Sequence, residues 1–116
     1  MQIISREELK KAIDHKENYV LIDVRQPEEL SYGIIPTAHN IPLPELPAAL
    51  SMDETSFEKK YHFKKPAKQD NIVFYCRSGG RAAQATHFAE HQGYHAKNYA
   101  GSILDWSEID KNVHVY

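Results

Sequence analysis

The sequence predicts an α/β fold with a parallel central sheet and helices on both faces. Three observations carry that expectation. "YVLIDV", Tyr19 to Val24, and "NIVFYC", Asn71 to Cys76, are short apolar runs rich in β-branched and aromatic residues, as strands buried on both faces require. Segments with helical starts and helical spacing alternate with them. The chain has 116 residues, enough for one compact domain and too few for two, so residues 1–116 are expected to form one unit.

Taken in order, "ISREELKKAI" opens the first helix. Ser5 and Glu8 have capping-box spacing, and Ile4 and Leu9 stand where a hydrophobic staple would form. The strand Tyr19–Val24 follows, and Pro27 suits the first turn of a short helix, "PEELS". "IIPTAHNIPLPEL" holds three of the six prolines, which limits it to turns and one short strand. Residues 44–50 have room for one or two helical turns. "MDETSFEKKYHF" has helical spacing at Phe57 and Tyr61, with Met52 a weaker member. After the strand Asn71–Cys76, Gly80 to His91 reads as a helix that packs through Ala82, Ala83, Ala85, Phe88 and Ala89. Gly93 stands at the position that ends such a helix in the left-handed conformation. "AKNY" is a third strand, and "ILDWSEI" a last short helix with Trp106 on its buried side.

Composition narrows the function classes. Hydrophobic content of 41% and charged content of 26% describe an ordinary soluble domain. A net charge of −2 argues against general nucleic-acid binding. No run approaches a membrane span. A single cysteine cannot form an internal disulfide, which favours a reducing compartment. The N-terminus has no apolar h-region and carries acids, which predicts a cytoplasmic location, or a mitochondrial one if a targeting segment has been removed. The seven histidines lack ligand spacing, so no metal is expected.

The chemistry concentrates at Cys76. A loop between a parallel strand and a helix is where ligands bind in open α/β sheets. The helix start offers free N–H groups and partial positive charge. Gly79 and Gly80 allow the backbone to curl into an anion nest, and Arg77 and Arg81 add full charges. Each of these stabilises a thiolate, the nucleophilic form of cysteine. A buried structural thiol is the alternative, since free cysteine is often buried, but an apolar thiol needs neither glycines nor arginines.

"CRSGGRA" resembles the active-site loop of the rhodanese family. "LIDVRQPEEL", "IPTAHNIPL" and "NYAGSILDW" resemble that family's flanking segments, in family order, from about Val20 to Trp106. Within the family the chain looks most like the short single-domain thiosulfate sulfurtransferases. Three positions depart from the pattern: Ile34 stands for the usual His, Thr37 for a Gly, and Ser102 for the second Gly of the downstream pair. The resemblance implies a rhodanese-like domain over residues 1–116, with Cys76 as nucleophile and Arg77, Ser78, Gly79, Gly80 and Arg81 as the substrate-binding loop. It also implies a supporting ion pair or loop brace from Asp23 and Arg25. The implied reaction moves the sulfane sulfur of thiosulfate, or of a related persulfide donor, through a Cys76 persulfide to a thiol or cyanide. Glutathione and thioredoxin are candidate acceptors, and no cofactor is required.

Two other readings compete. Cysteine-dependent phosphatase or arsenate reductase chemistry uses a loop with five residues between Cys and Arg; here four intervene before Arg81, and Ala82 holds the sixth position after Cys76. A non-catalytic module or persulfide carrier is the third reading. Arg81 is expected to close the loop onto the helix and Arg77 to point outward. His39 is expected to take a surface or packing role, with a catalytic one as the alternative, and the lysines at 59, 60, 64, 65 and 68 to solvate a helix end, with steering of anionic substrates as the alternative.

Overall fold

The two runs that suggested strands lie side by side in the computed structural model, which describes residues 1–116. Strands β1 (Gln2–Ile3), β2 (Val20–Asp23), β3 (His39–Asn40), β4 (Asn71–Tyr75) and β5 (His95–Asn98) form one parallel sheet in the order β1-β5-β4-β2-β3. Helices α1 (Arg6–Asp14), α2 (Leu46–Ser51), α3 (Glu54–Tyr61), α4 (Gly80–His91) and α5 (Ser102–Trp106) complete the α/β architecture.

Alternation along β4 shows why both faces must be covered. Ile72 and Phe74 join one apolar cluster with Phe57, Leu46, Ala82, Ala85 and Ala89 from α2, α3 and α4. Val73 and Tyr75 point the other way and pack with Leu9, Ile103 and Trp106 from α1 and α5. A strand with an apolar residue on each side reads as a continuous apolar run, which is what "NIVFY" is.

The local signals act as their chemistry requires. Glu8 N–H donates to Ser5 Oγ at 3.1 Å and Ser5 N–H to Glu8 Oε1 at 3.0 Å, closing the capping box of α1. Ile4 and Leu9 share one cluster. A 3₁₀ helix spans Pro27–Tyr32, and another, Leu43–Glu45, leads into α2. Small residues let α4 lie close to the sheet through Ala82, Ala85 and Ala89, with Gly93 at φ +91° beyond its end. Ala83 and Phe88 are only half-buried. The face is completed by Thr86, whose hydroxyl donates to Ala82 O at 2.8 Å and so is buried without cost.

Strand β1 has no local signature: two exposed residues become a strand only by pairing with β5. His39 stacks on Phe63 with ring centroids 4.0 Å apart, a packing role. Three of the five lysines are engaged: Lys60 with Glu45, Lys65 with Met52 O and Lys68 with Gln92 O. No helix is long and apolar enough to cross a membrane.

Candidate active site

Cys76 follows the last residue of β4, and the loop 76–79 turns directly into α4. The thiol is 1% exposed. Gly79 N–H donates to Cys76 Sγ at 3.0 Å, the one amide in the loop aimed at the sulfur. An N–H so placed stabilises negative charge on sulfur. Ala83 N–H makes the first helical bond, to Gly79 O, so the amides just ahead of it have no intrahelical acceptor.

Only one glycine of the pair is demanded by the backbone. Gly79 has φ +103°, and a Cβ there would fall 2.4 Å from Ala100 O. Gly80 has an ordinary φ with open space around it. The nest therefore depends on Gly79, which corrects the sequence expectation that both glycines curl the loop. Ser78 and Gly80 are exposed at the loop's outer turn.

The start of α5 braces the loop from behind. Ile103 N–H donates to Cys76 O and Leu104 N–H to Arg77 O, both at 3.1 Å. Ser102 is fully buried at φ +54°, an unusual conformation for a residue with a Cβ. Its hydroxyl accepts from Cys76 N–H at 3.1 Å, donates to Tyr99 O at 2.8 Å and lies 3.9 Å from Cys76 Sγ. Those bonds offset the backbone strain, about 1–2 kcal/mol. The departure from glycine at this position thus places a hydroxyl next to the Cys76 thiol.

The arginines separate into paired and unpaired. Arg81 forms a two-pronged bond to Glu29, Nη1 to Oε2 at 2.6 Å and Nη2 to Oε1 at 3.0 Å. Glu29 also accepts from Gln26 N–H and from the Tyr116 hydroxyl, each at 2.8 Å. The Arg81 bonds above all hold the Glu29 carboxyl down to about 2. Arg81 ties the helix start to the 3₁₀ helix after β2, so its charge is already matched. Arg77 does not point outward. Its guanidinium lies 5.0 Å from the Tyr116 ring centroid, and its Nε is buried without an acceptor.

Asp23 and Arg25 form a buried pair at the end of β2. Arg25 Nη2 and Nε reach Asp23 Oδ2 at 2.7 and 3.0 Å, and Arg25 Nη2 also reaches Gly33 O at 2.8 Å. Burial opposes the Arg25 charge, and the bonds to Asp23 more than offset it, so its pKa is raised. The pair lies beside the site and braces its neighbour loop. Sequence reasoning missed the contacts of Glu29, Ser102 and Tyr116. Glu29 lay within a segment already singled out, Ser102 in a Gly-Ser step before a helix, and Tyr116 carried no local signal.

Fold and site together define a parallel α/β domain with a cysteine loop at the carboxyl end of its central strand. The rhodanese-like domain family matches residues 5–109. The thiosulfate:glutathione sulfurtransferase of Homo sapiens is 46% identical over 90 residues, 76% of this chain and 78% of that protein. The mitochondrial thiosulfate sulfurtransferase RDL2 of Saccharomyces cerevisiae is 34% identical, covering 90% of this chain and 72% of that protein. The solved structure of the human single-domain sulfurtransferase TSTD1 superposes with a TM-score of 0.90 at 39% identity, over 95% of this chain and 98% of that one. The chain belongs to the rhodanese-like domain family and is a rhodanese-type sulfurtransferase. Phosphatase and arsenate reductase chemistry is not favoured.

Proposed function

We propose that the protein transfers the sulfane sulfur of thiosulfate through a persulfide on Cys76. The observation that carries this reading is the Gly79 amide aimed at Cys76 Sγ from the start of α4. The Cys76 thiolate attacks the outer sulfur of thiosulfate, an S–S bond forms on Cys76, and the bond to the sulfonate sulfur breaks with its electron pair. Sulfite leaves as the dianion, and the persulfide anion remains beside the loop amides, which stabilise it. A thiolate acceptor then attacks the terminal sulfur, takes it as a new persulfide and returns Cys76 as thiolate. Charge balances in both halves, with no proton transfer and no metal or organic cofactor.

Glutathione is the acceptor best supported by similarity, since the human relative bears that name. Thioredoxin and cyanide fit the same half-reaction. One relative is named mitochondrial, which supports a mitochondrial location beside the cytoplasmic one. The loop Arg77–Arg81 is the proposed donor-binding segment, with Arg77 as its uncommitted charge and Arg81 holding the loop in place through Glu29.

One experiment tests the scheme. Thiosulfate without acceptor should add one sulfur to the intact mass, and glutathione should remove it, because the chain has no second cysteine to resolve the intermediate. Cys76→Ser should lose at least about three orders of magnitude in sulfite release while keeping its fold. Sulfite release from a protein whose alkylation-trapped thiol stays unmodified would replace the covalent route with direct transfer in a ternary complex.

A further inference from the structure

Three arginines gather at the carboxyl end of the sheet, and two are committed to carboxylates: Arg25 to Asp23 and Arg81 to Glu29. Arg77 is not, and its buried Nε lacks an acceptor. What holds it is the face of Tyr116. That ring is itself fixed. It stacks on Tyr32 with centroids 4.2 Å apart and 14° between planes. Its hydroxyl donates to Glu29 Oε1 at 2.8 Å and accepts from Arg25 Nη1 at 3.1 Å. The strand of chain leading to it is anchored by His114 N–H on Tyr32 O at 2.8 Å and by buried Val113.

We infer that Tyr116 is a positioning residue for sulfur transfer: it seats Arg77 as the free cation of the Cys76 loop, available to the anionic end of the sulfur donor. The inference rests on the proposed use of an anionic donor. Ring and hydroxyl contribute separately. The ring attracts the guanidinium by about 0.5–2 kcal/mol and limits the rotamers of a long side chain. The hydroxyl acts on Glu29. A carboxylate has about four lone-pair sites. Here Arg81 supplies two donors, Gln26 N–H a third and Tyr116 the fourth. With Glu29 saturated, Arg77 has no nearby lone pair there to be drawn to.

The test is steady-state transfer from thiosulfate to glutathione by Tyr116→Leu, Tyr116→Phe, Arg77→Ala and the Tyr116→Leu/Arg77→Ala double variant, with thermal melting of each. Loss of the ring should raise the KM for thiosulfate about 5-fold to 10-fold, inside the roughly 2-fold to 30-fold range that a cation–π contact of about 0.5–2 kcal/mol spans. The KM for glutathione should not change. Tyr116→Phe keeps the ring while losing the two hydroxyl hydrogen bonds, to Glu29 and from Arg25, and its thiosulfate KM should stay within about 3-fold of the parent because the cation contact remains. In the Arg77→Ala background Tyr116→Leu should add nothing. Tyr116→Met, which keeps apolar bulk without a ring, replaces Tyr116→Leu if that variant does not fold. Additive effects of the two substitutions, or equal rises in both KM values, would reduce Tyr116 to packing and overturn the inference. An unchanged thiosulfate KM in Arg77→Ala would also overturn it, while the Cys76 chemistry stands or falls separately on the Cys76→Ser and mass measurements.

Discussion

The loops that leave β2 and β4 start as neighbours, with Asp23 and Tyr75 register partners in the sheet, yet they treat their polar groups in opposite ways. After β2 everything is matched. Asp23 and Arg25 are 1% and 0% exposed, and Asn40 Nδ2 donates to the carbonyls of both at 2.9 Å. After β4 the groups are left open. Cys76 Sγ has one amide donor, the amides at the helix start lack intrahelical acceptors, and the Arg77 Nε is unpaired. Saturation makes a brace, and unsatisfied donors around a thiol favour an anion, as the proposed sulfur transfer requires. The sheet puts the brace next to the open loop, so rigidity on one side supports unpaired donors on the other.

That contrast can be broken from the braced side. Asp23→Ala leaves the Arg25 guanidinium buried without its carboxylate and should destabilise the protein by about 3–5 kcal/mol. Denaturant unfolding measures it. A loss below 1 kcal/mol would show that Gly33 O and the Tyr116 hydroxyl suffice for Arg25, and that the two loops differ less than their bonding suggests.

The link between the loops should show itself in acid. The folded-state pKa of Glu29 is depressed to about 2, so its contribution is fully present above the unfolded value near 4.5. It is lost as pH falls through about 2. Because the pair is partly solvent-exposed, the contribution is discounted to about 2 kcal/mol. Glu29→Gln should flatten the stability profile between those two pH values; a parallel profile in parent and variant would detach Arg81 from this role. The smallest effect belongs to the lysines. Lys60 and Glu45 are separated by 3.6 Å on an exposed surface, and Lys60→Ala should change stability by less than about 0.5 kcal/mol. A larger change in the thiosulfate KM would revive the steering alternative.

Much of this arrangement is legible in the chain because its causes are local. The Ser5–Glu8 cap, the apolar run of β4, the helix Gly80–His91 and its end at Gly93 each follow from residues a few positions apart. The cysteine loop is legible for the same reason. What was not legible depends on distant partners. Arg81 meets Glu29 across 52 positions of chain, Cys76 meets Ser102 across 26, and Tyr116 reaches Glu29 across 87. Spacing alone has Arg81 closing the loop onto the helix and Arg77 pointing outward. The carboxylate of Glu29, brought in by the fold, engages Arg81, while Arg77 lies against the Tyr116 ring.

The two-residue strands at the margins of the sheet have a consequence for the chain outside its own fold. β2, β4 and β5 are the longest strands, and all three lie in the interior of the sheet order. The two edge strands are Gln2–Ile3 on one side and His39–Asn40 on the other. The second edge is followed closely by Pro42, which has no N–H to offer a visiting strand. An incoming chain would find at either margin a template of two residues, too short to seed a growing ladder. The apolar strands β2 and β4, which carry the Cys76 loop and its neighbour, are thus shielded from the cross-chain pairing that their sequences would otherwise favour.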